Sequence, residues 1–356
     1  MKLTLYSDRA YLAPGATHVP ILIPFWGPLG EDPDDSITFG RYERYARTGH
    51  EFLRTGSLED CDAAIFPTPW ERIAGDAAAE ARAAEFVAQA RAAGKPPVVF
   101  FWSDSAAPVG LDSVVFRTSL YRSRRQAGEF AQPAWAEDLV ERRLGGTLRL
   151  RERRDRPVVG FCGYALREPP LVTNLDRLRR RIGDRKRSIE ATLTRAEDGV
   201  LTRARALGAL EAHPDVDTNF IFRDGFWGGT TPTSAADVRL RVRQEYVQNI
   251  VDSDYVVCAR GGGNFSYRLY ETLCCGRIPV FIDTDCVLPL ESVIDWKDYC
   301  VWVDESEVRQ TGNRVAAFHA SLSPAEFTER QRACRLLWET HLSPEGFFAH
   351  FHDHFA

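Results

Sequence analysis

The chain has 356 residues, 44% hydrophobic and 27% charged, with a formal net charge of −5. This length exceeds one small core and fits two α/β domains, and the composition excludes a disordered or fibrous chain. The acidic balance excludes a global basic field for nucleic acid, so any anionic ligand must be met locally.

Lys2 to Tyr6 reads as a first strand that reaches a polar turn at Ser7-Asp8, too soon for a signal-peptide core. No segment approaches the roughly 20 apolar residues of a spanning helix, so the chain is expected in the cytoplasm, at most peripheral at the inner face of the membrane. Further strands are predicted at Val19 to Ile23, Ala63 to Phe66, Pro97 to Trp102 and Ser113 to Phe116, with a long helix from Trp70 to Ala93 stopped by Gly94. Strands alternating with helices predict a parallel sheet with crossover helices.

Residues 142–156, RRLGGTLRLRERRDR, lack a sustained apolar stripe and mark a domain boundary. With Arg177 to Arg187 they form two arginine-dense stretches, read as a solvated face or linker or, alternatively, as a patch for anionic lipid head groups. The alternation then repeats. Strands are predicted at Pro157 to Cys162, Thr218 to Phe222, Tyr255 to Cys258, Ile278 to Ile282 and Tyr299 to Val303, with helices at 184–209, Asp237 to Val251, Ser266 to Cys275 and Pro324 to His341. Two Rossmann-like units are the economical interpretation, divided as 1–150 and 151–323, with 324–356 packing back on the first. Eight cysteines without a C-x-x-C pair read as buried thiols.

The segment most informative about chemistry runs from Asp254 to Glu271. A buried strand enters Arg260-Gly261-Gly262-Gly263-Asn264 and then a helix with Ser266 as N-cap. Glycines that adopt positive φ and bare their N–H groups beside a helix N-terminus can cradle a diphosphate. Arg260 and Arg268 can neutralise its charge. Glu271, one turn beyond Arg268, can accept ribose hydroxyls. G-x-G-x-x-G is only approximated, which weakens a dinucleotide reading.

From Val242 to Val308 the chain resembles the exostosin family, inverting GT-B glycosyltransferases of family 47. The residues that carry this are Arg260-Gly261, Ser266, Arg268-Leu269, Glu271, Gly276, Ile278-Pro279-Val280, Leu288-Pro289, Asp295-Trp296, Val303 and Glu305. Thr218 to Gly229, with Phe222-Arg223-Asp224 and Trp227-Gly228-Gly229, resembles the bacterial branch more loosely. The resemblance implies a GT-B fold, two Rossmann-like domains facing a central cleft. It also implies inverting transfer from a nucleotide sugar, usually a UDP-sugar, to a glycan or lipid-linked acceptor. Eukaryotic members carry a membrane anchor; without one, the expectation is a bacterial enzyme of surface polysaccharide synthesis.

Inversion needs a base from the other domain. Asp104, after strand Val98 to Trp102, is the leading candidate, although Ser103-Asp104-Ser105 is also capping chemistry. His18 and Asp8 are fallbacks, and Arg117 either reaches the cleft or is solvated. Asp283-Thr284-Asp285 has the D-x-D form that holds a divalent cation in GT-A enzymes. Its late position favours contact between Asp283 and the sugar, with no obligatory metal or cofactor. The alternating His350, His352 and His354 are terminal and are not expected to form a metal site. Donor-binding candidates are therefore Arg223, Arg260, Gly261, Gly262, Gly263, Asn264, Ser266, Arg268, Glu271 and Asp283. Pro279 stands where retaining transferases and epimerases carry a second Glu. The rival from another class is a catalytically silent glycan- or nucleotide-binding subunit of a polysaccharide assembly complex.

Overall fold

The computed structural model describes residues 2–30, 36, 38–166, 188–225, 229–231 and 234–355. Arg177 to Arg187, Trp227 and Gly228 lie outside the described residues. Two sheets organise the chain, each entirely parallel. The first has β1 (Leu3–Tyr6), β2 (Leu53–Thr55), β3 (Ala63–Ile65), β4 (Pro97–Phe101), β5 (Val114–Arg117) and β6 (Glu129–Ala131), in the order β2-β1-β3-β4-β5-β6. The second has β7 (Val158–Tyr164), β8 (Asp217–Arg223), β9 (Tyr255–Cys258), β10 (Ile278–Asp283) and β11 (Val301–Asp304), in the order β11-β10-β9-β7-β8. In both, the first strand of the unit lies between the second and third, so each sheet has a switch point where open α/β folds bind ligands.

Burial explains which strands were readable. β4, β9 and β10 are buried along their whole length and read as continuous apolar runs. β2 is short, lies at an edge and exposes two of its three residues; β6 is equally short. Neither carries enough pattern to be read from sequence.

The strand expected at Val19 to Ile23 is instead a 3₁₀ turn, Pro20–Leu22, running into the helical turn Ile23–Trp26. Pro20 has no N–H for a ladder, and a short buried apolar run looks the same in either conformation. The helix expected from Trp70 is shorter, Ala77–Ala92, because Gly75 adopts φ 90° and Asp76 caps the N–H groups of Ala78 and Ala79.

The carboxyl edges of the two sheets meet through loops. Trp102 Nε1 donates to the Tyr267 hydroxyl (3.1 Å), Asn264 N–H donates to Ser119 Oγ (3.0 Å), and Tyr121 forms an antiparallel bridge with Cys286. The helix Pro324–Leu337 and the shorter Pro344–Ala349 close the chain. Phe348 packs 4.7 Å from Tyr45, Phe351 lies 4.7 Å from Phe116, and Trp135 Nε1 donates to Leu342 O (3.1 Å), so the last residues seal the first sheet.

The arginines of 142–156 are largely committed to protein. Arg143 pairs with Glu137, Arg151 with buried Asp254, and Arg156 with Asp217, while Arg153 donates to His319 O. They tie the linker to both units, while Arg149, Glu152, Arg154, Asp155 and Arg156 remain exposed, as the solvated-face reading expects. All eight cysteines are buried and free. Among the described residues no helix is long and apolar enough to cross a membrane.

Candidate functional site

β7 and β9 are neighbours at the switch point of the second sheet, and three arginines converge above their carboxyl ends. Arg203, on the helix Ser188–Glu211, is 5% exposed and donates to Tyr164 O (2.6 Å) and Arg260 O (2.8 Å). Arg268, in the first turn of the helix Tyr267–Cys274, donates to Cys162 O (2.9 Å) and lies 4.5 Å from the Phe161 ring centroid. Arg260, 8% exposed, donates to the Tyr121 hydroxyl (3.3 Å). The Nε of each is buried without a hydrogen-bond partner.

These contacts are to carbonyls, a hydroxyl and a ring, so three positive charges stand together with no carboxylate paired to them among the described residues. The strain shows at Arg203, whose pKa falls to about 9, first through burial and then through Arg268 and Arg260. An uncompensated cluster of this kind is a site for an anion. Gly163 permits it, since a Cβ there would lie 2.8 Å from Arg268 Nη2.

The glycine turn beside the cluster works differently from the expectation. None of Gly261, Gly262 and Gly263 has positive φ. Close approach requires Gly263, where a Cβ would lie 2.8 Å from Asp104 Cα; one on Gly262 would lie 2.7 Å from Asp104 Oδ2, a side-chain end that can swing aside. Asp104 thus stands across the cleft against the turn, exposed at its edge, with the Gly263 N–H near enough to its carboxylate to favour the charged form. The surrounding protein pushes the carboxyl above its ordinary value, with that N–H opposing.

Asp104 is held by its neighbours. Ser103 N–H donates to Thr118 Oγ1 (3.1 Å), and buried Arg117 donates to Ser105 O (2.9 Å) and Ala107 O (3.0 Å) while pairing with Glu129 (2.6 Å). Arg117 is therefore neither in the cleft nor solvated; it clamps the loop that carries Asp104.

Other candidates are spent on structure. Asn264 is fully buried, donates to Leu120 O (3.1 Å) and Asp285 O (3.2 Å), and accepts from Thr284 Oγ1 (2.6 Å), so it fastens loops of both units together. Ser266 occupies the N-cap position without a side-chain capping bond. Glu271 is 4% exposed, with Oε1 bonded to Arg243 (2.7 Å) and Oε2 to the Tyr246 hydroxyl. Arg243 continues to buried Glu137 (2.9 Å). The ribose contact read from spacing meets a carboxylate already engaged at both oxygens. Arg223, at the end of β8, pairs with Glu245 and reaches Cys162 Sγ (3.9 Å).

The two aspartates of the D-x-D sequence are separated in role. Asp283 accepts from Cys286 N–H (2.9 Å) and faces Arg122 (3.7 Å) on a cavity of about 470 Å³. Asp285, at φ 64°, turns to the Ser123 N–H and hydroxyl. Among the described residues no group of three or more His, Cys, Asp or Glu could hold a metal. His18 is buried with its ring nitrogens against Val19 O and Gly27 O (both 3.0 Å), and Asp8 caps Ala10 N–H (2.8 Å). His354 packs on Phe116 and Phe130.

Arg203, Arg243, Tyr246 and Tyr121 were missed from sequence. Arg203 had a signal: it shares a helical stripe with Ala206, Leu207 and Leu210, all buried, and a charge on such a stripe needs a reason.

Comparison with known proteins falls on this half of the chain. Residues 210–318 match the Exostosin GT47 domain. Exostosin-1 of Drosophila melanogaster is 36% identical over 99 residues, 27% of this chain and 12% of that protein. "Probable beta-1,4-xylosyltransferase IRX10L" of Arabidopsis thaliana is 31% identical over 86 residues, 24% of this chain and 21% of that protein. The chain therefore spans about a fifth or less of the length of these curated relatives. The crystal structure of TarM matches over 78% of this chain and 58% of that one, at 10% identity and a TM-score of 0.29, too loose a superposition to support the architecture. The matched region holds β8 to β11, the glycine turn, Arg260 and Arg268, but neither Arg203 nor Asp104. Over residues 210–318, this chain carries an exostosin GT47 domain.

Proposed function

We propose that this protein is an inverting glycosyltransferase that moves a sugar from a nucleotide donor, best a UDP-sugar, to a glycan or lipid-linked acceptor, in bacterial surface polysaccharide synthesis. The observation that carries the reading is the unpaired cluster of Arg203, Arg260 and Arg268 at the switch point, with Asp104 opposite. In it, the arginines hold the donor diphosphate and neutralise the charge that grows as the anomeric carbon–oxygen bond breaks. The acceptor oxygen attacks that carbon from the other face, and Asp104 takes its proton. Three guanidiniums supply the charge for which other enzymes recruit a cation, and both D-x-D carboxylates are occupied. Turnover is therefore expected to persist in EDTA.

The test is a thermal-shift screen against UDP, GDP, CMP, ADP and NAD. Stabilisation by UDP that vanishes in Arg203→Met and in Arg260→Met supports the donor site; stabilisation by NAD alone, or by none, removes the reading. Asp104→Asn separates an enzyme from a silent binding subunit: turnover falls at least ~100-fold while UDP stabilisation remains. Because its carboxyl is pushed up, wild-type kcat/KM rises with pH through a value above the ordinary carboxylate range. Because the folded value is raised, stability falls as pH climbs from the ordinary aspartate value to the raised one and stays lower above it, so at neutral pH Asp104→Asn does not lower the melting temperature.

A further inference from the structure

The loop that carries Asp104 has a second face. Ser103 and Ser105, on either side of Asp104, line a cavity of about 450 Å³ together with Trp70, Glu71, Glu80 and Phe101. The walls come from the segments after β3 and β4, at the carboxyl edge of the first sheet. This volume suits a small ligand.

The polar groups divide into donors and acceptors. Ser103 Oγ accepts from Ser105 N–H (3.0 Å) and Ser105 Oγ accepts from Ala107 N–H (3.1 Å), so both hydroxyl protons are free to donate. Glu71 is half-buried, and Oε2 accepts from Trp102 N–H (3.0 Å), which leaves Oε1 to accept. Glu80 Oε1 accepts from Gly75 N–H (2.8 Å), which fixes the rim. Apolar contact comes from Trp70, Phe101, Pro108 and Val109. No lysine or arginine lines the cavity.

Hydroxyl donors, carboxylate acceptors and apolar walls are the complement of a sugar ring. The lining itself carries two carboxylates and no cation; Arg117, behind the loop, is neutralised by Glu129, and Arg72 beside Glu71 is exposed, so the cavity disfavours a carboxylate or phosphate and favours an ammonium. We propose that this cavity is an acceptor subsite that binds a neutral or amino sugar unit and rejects a uronic acid or phosphorylated one. The inference rests on the glycosyltransferase reading: the sugar held here places the growing chain beside Asp104, one residue away on the same loop. It fixes the charge class of the acceptor.

Saturation-transfer NMR on the full chain without nucleotide tests it, with the methyl glycosides of glucose, glucosamine and glucuronic acid as probes. Transfer to the glucoside and glucosaminide is expected, with glucuronide binding weaker by at least about tenfold. Binding is lost in Ala107→Trp, which fills the exposed rim, and weakens by about tenfold in Glu71→Gln, which keeps the bond to Trp102. Equal binding of the glucuronide, no transfer from any glycoside, or binding indifferent to both substitutions overturns the proposal. Failure of the underlying reading shows separately. Glycosides would then still bind through Glu71 while UDP gave no thermal stabilisation.

Discussion

At the scale of the residue, the site depends on charges whose partners are elsewhere than their spacing suggests. Glu271 lies on a helix face with Arg268, yet its oxygens belong to Arg243 and Tyr246. Glu271→Ala therefore removes one of the two carboxylates of buried Arg243, which keeps Glu137, and leaves the Tyr246 hydroxyl without its acceptor, so chemical unfolding is expected to show a loss of roughly 1–3 kcal/mol. A simple ribose contact would leave stability unchanged in that measurement. Arg117 makes the opposite point, since a buried guanidinium outside the arginine cluster sets the Asp104 loop. Arg117→Lys keeps the charge beside Glu129 but cannot span both carbonyls. Steady-state kinetics should show kcat lower by roughly 10- to 100-fold, with UDP thermal stabilisation intact. Loss of UDP binding instead would mean that the substitution disturbed the donor half. Arg260 and Arg268 were legible because they flank a glycine turn after a buried strand. The pairing of Glu271 was not, because Arg243 and Tyr246 reach it from a separate helix, Ala236–Val251.

At the scale of the element, the strand, glycine turn and helix around Gly261 to Gly263 were placed correctly, but the positive φ expected of the glycines is absent. Gly262 and Gly263 face Asp104 without a left-handed backbone, and Gly263 meets its backbone. Gly263→Ala is the discriminating change. Its Cβ would meet Asp104 Cα at 2.8 Å and Phe265 Cε1 at 2.7 Å, so backbone must move. A destabilisation of about 1–3 kcal/mol is expected, with turnover falling because Asp104 is displaced. Gly261→Ala meets nothing within 4 Å and serves as the control, with the melting temperature nearly unchanged. Parallel interior strands are readable from sequence because both faces are covered and every residue is apolar. Short edge strands such as Leu53–Thr55 are not, since half their surroundings are solvent and the other half is decided by neighbours far along the chain.

At the scale of the whole molecule, two parallel sheets face each other across loops, and the chain's end returns to the first. Tyr121 to Arg125 are stitched to Cys286, Asp285 and Glu291, so one side of the cleft is pinned while the arginine cluster and Asp104 lie along it. His354 shows how the returning end is held. It sits among Phe116, Phe130 and Phe347 with Nε2 buried and unpartnered, and burial lowers its pKa from 6.5 to about 4. Because the unfolded chain binds the proton more readily, stability falls as pH drops from 6.5 toward 4. His354→Phe should raise the melting temperature by a few degrees and flatten that acid limb. A limb unchanged in thermal melts across this range would show that the imidazole is solvated.

The sequence by itself determined what depends on neighbours within a few residues: the parallel α/β class, the buried strands, the glycine turn, two of the three arginines of the cluster and a carboxylate at the edge of the first sheet. Only the tertiary structure decided what depends on contacts between distant segments. It brought Arg203 to the cluster, set Asp104 against Gly262 and Gly263, and withdrew Asn264 and Glu271 into protein bonds. The reason is physical. Backbone pattern is set by local burial and turn chemistry, whereas the partner of a buried charge is whichever group the packing of the two sheets brings within hydrogen-bond reach.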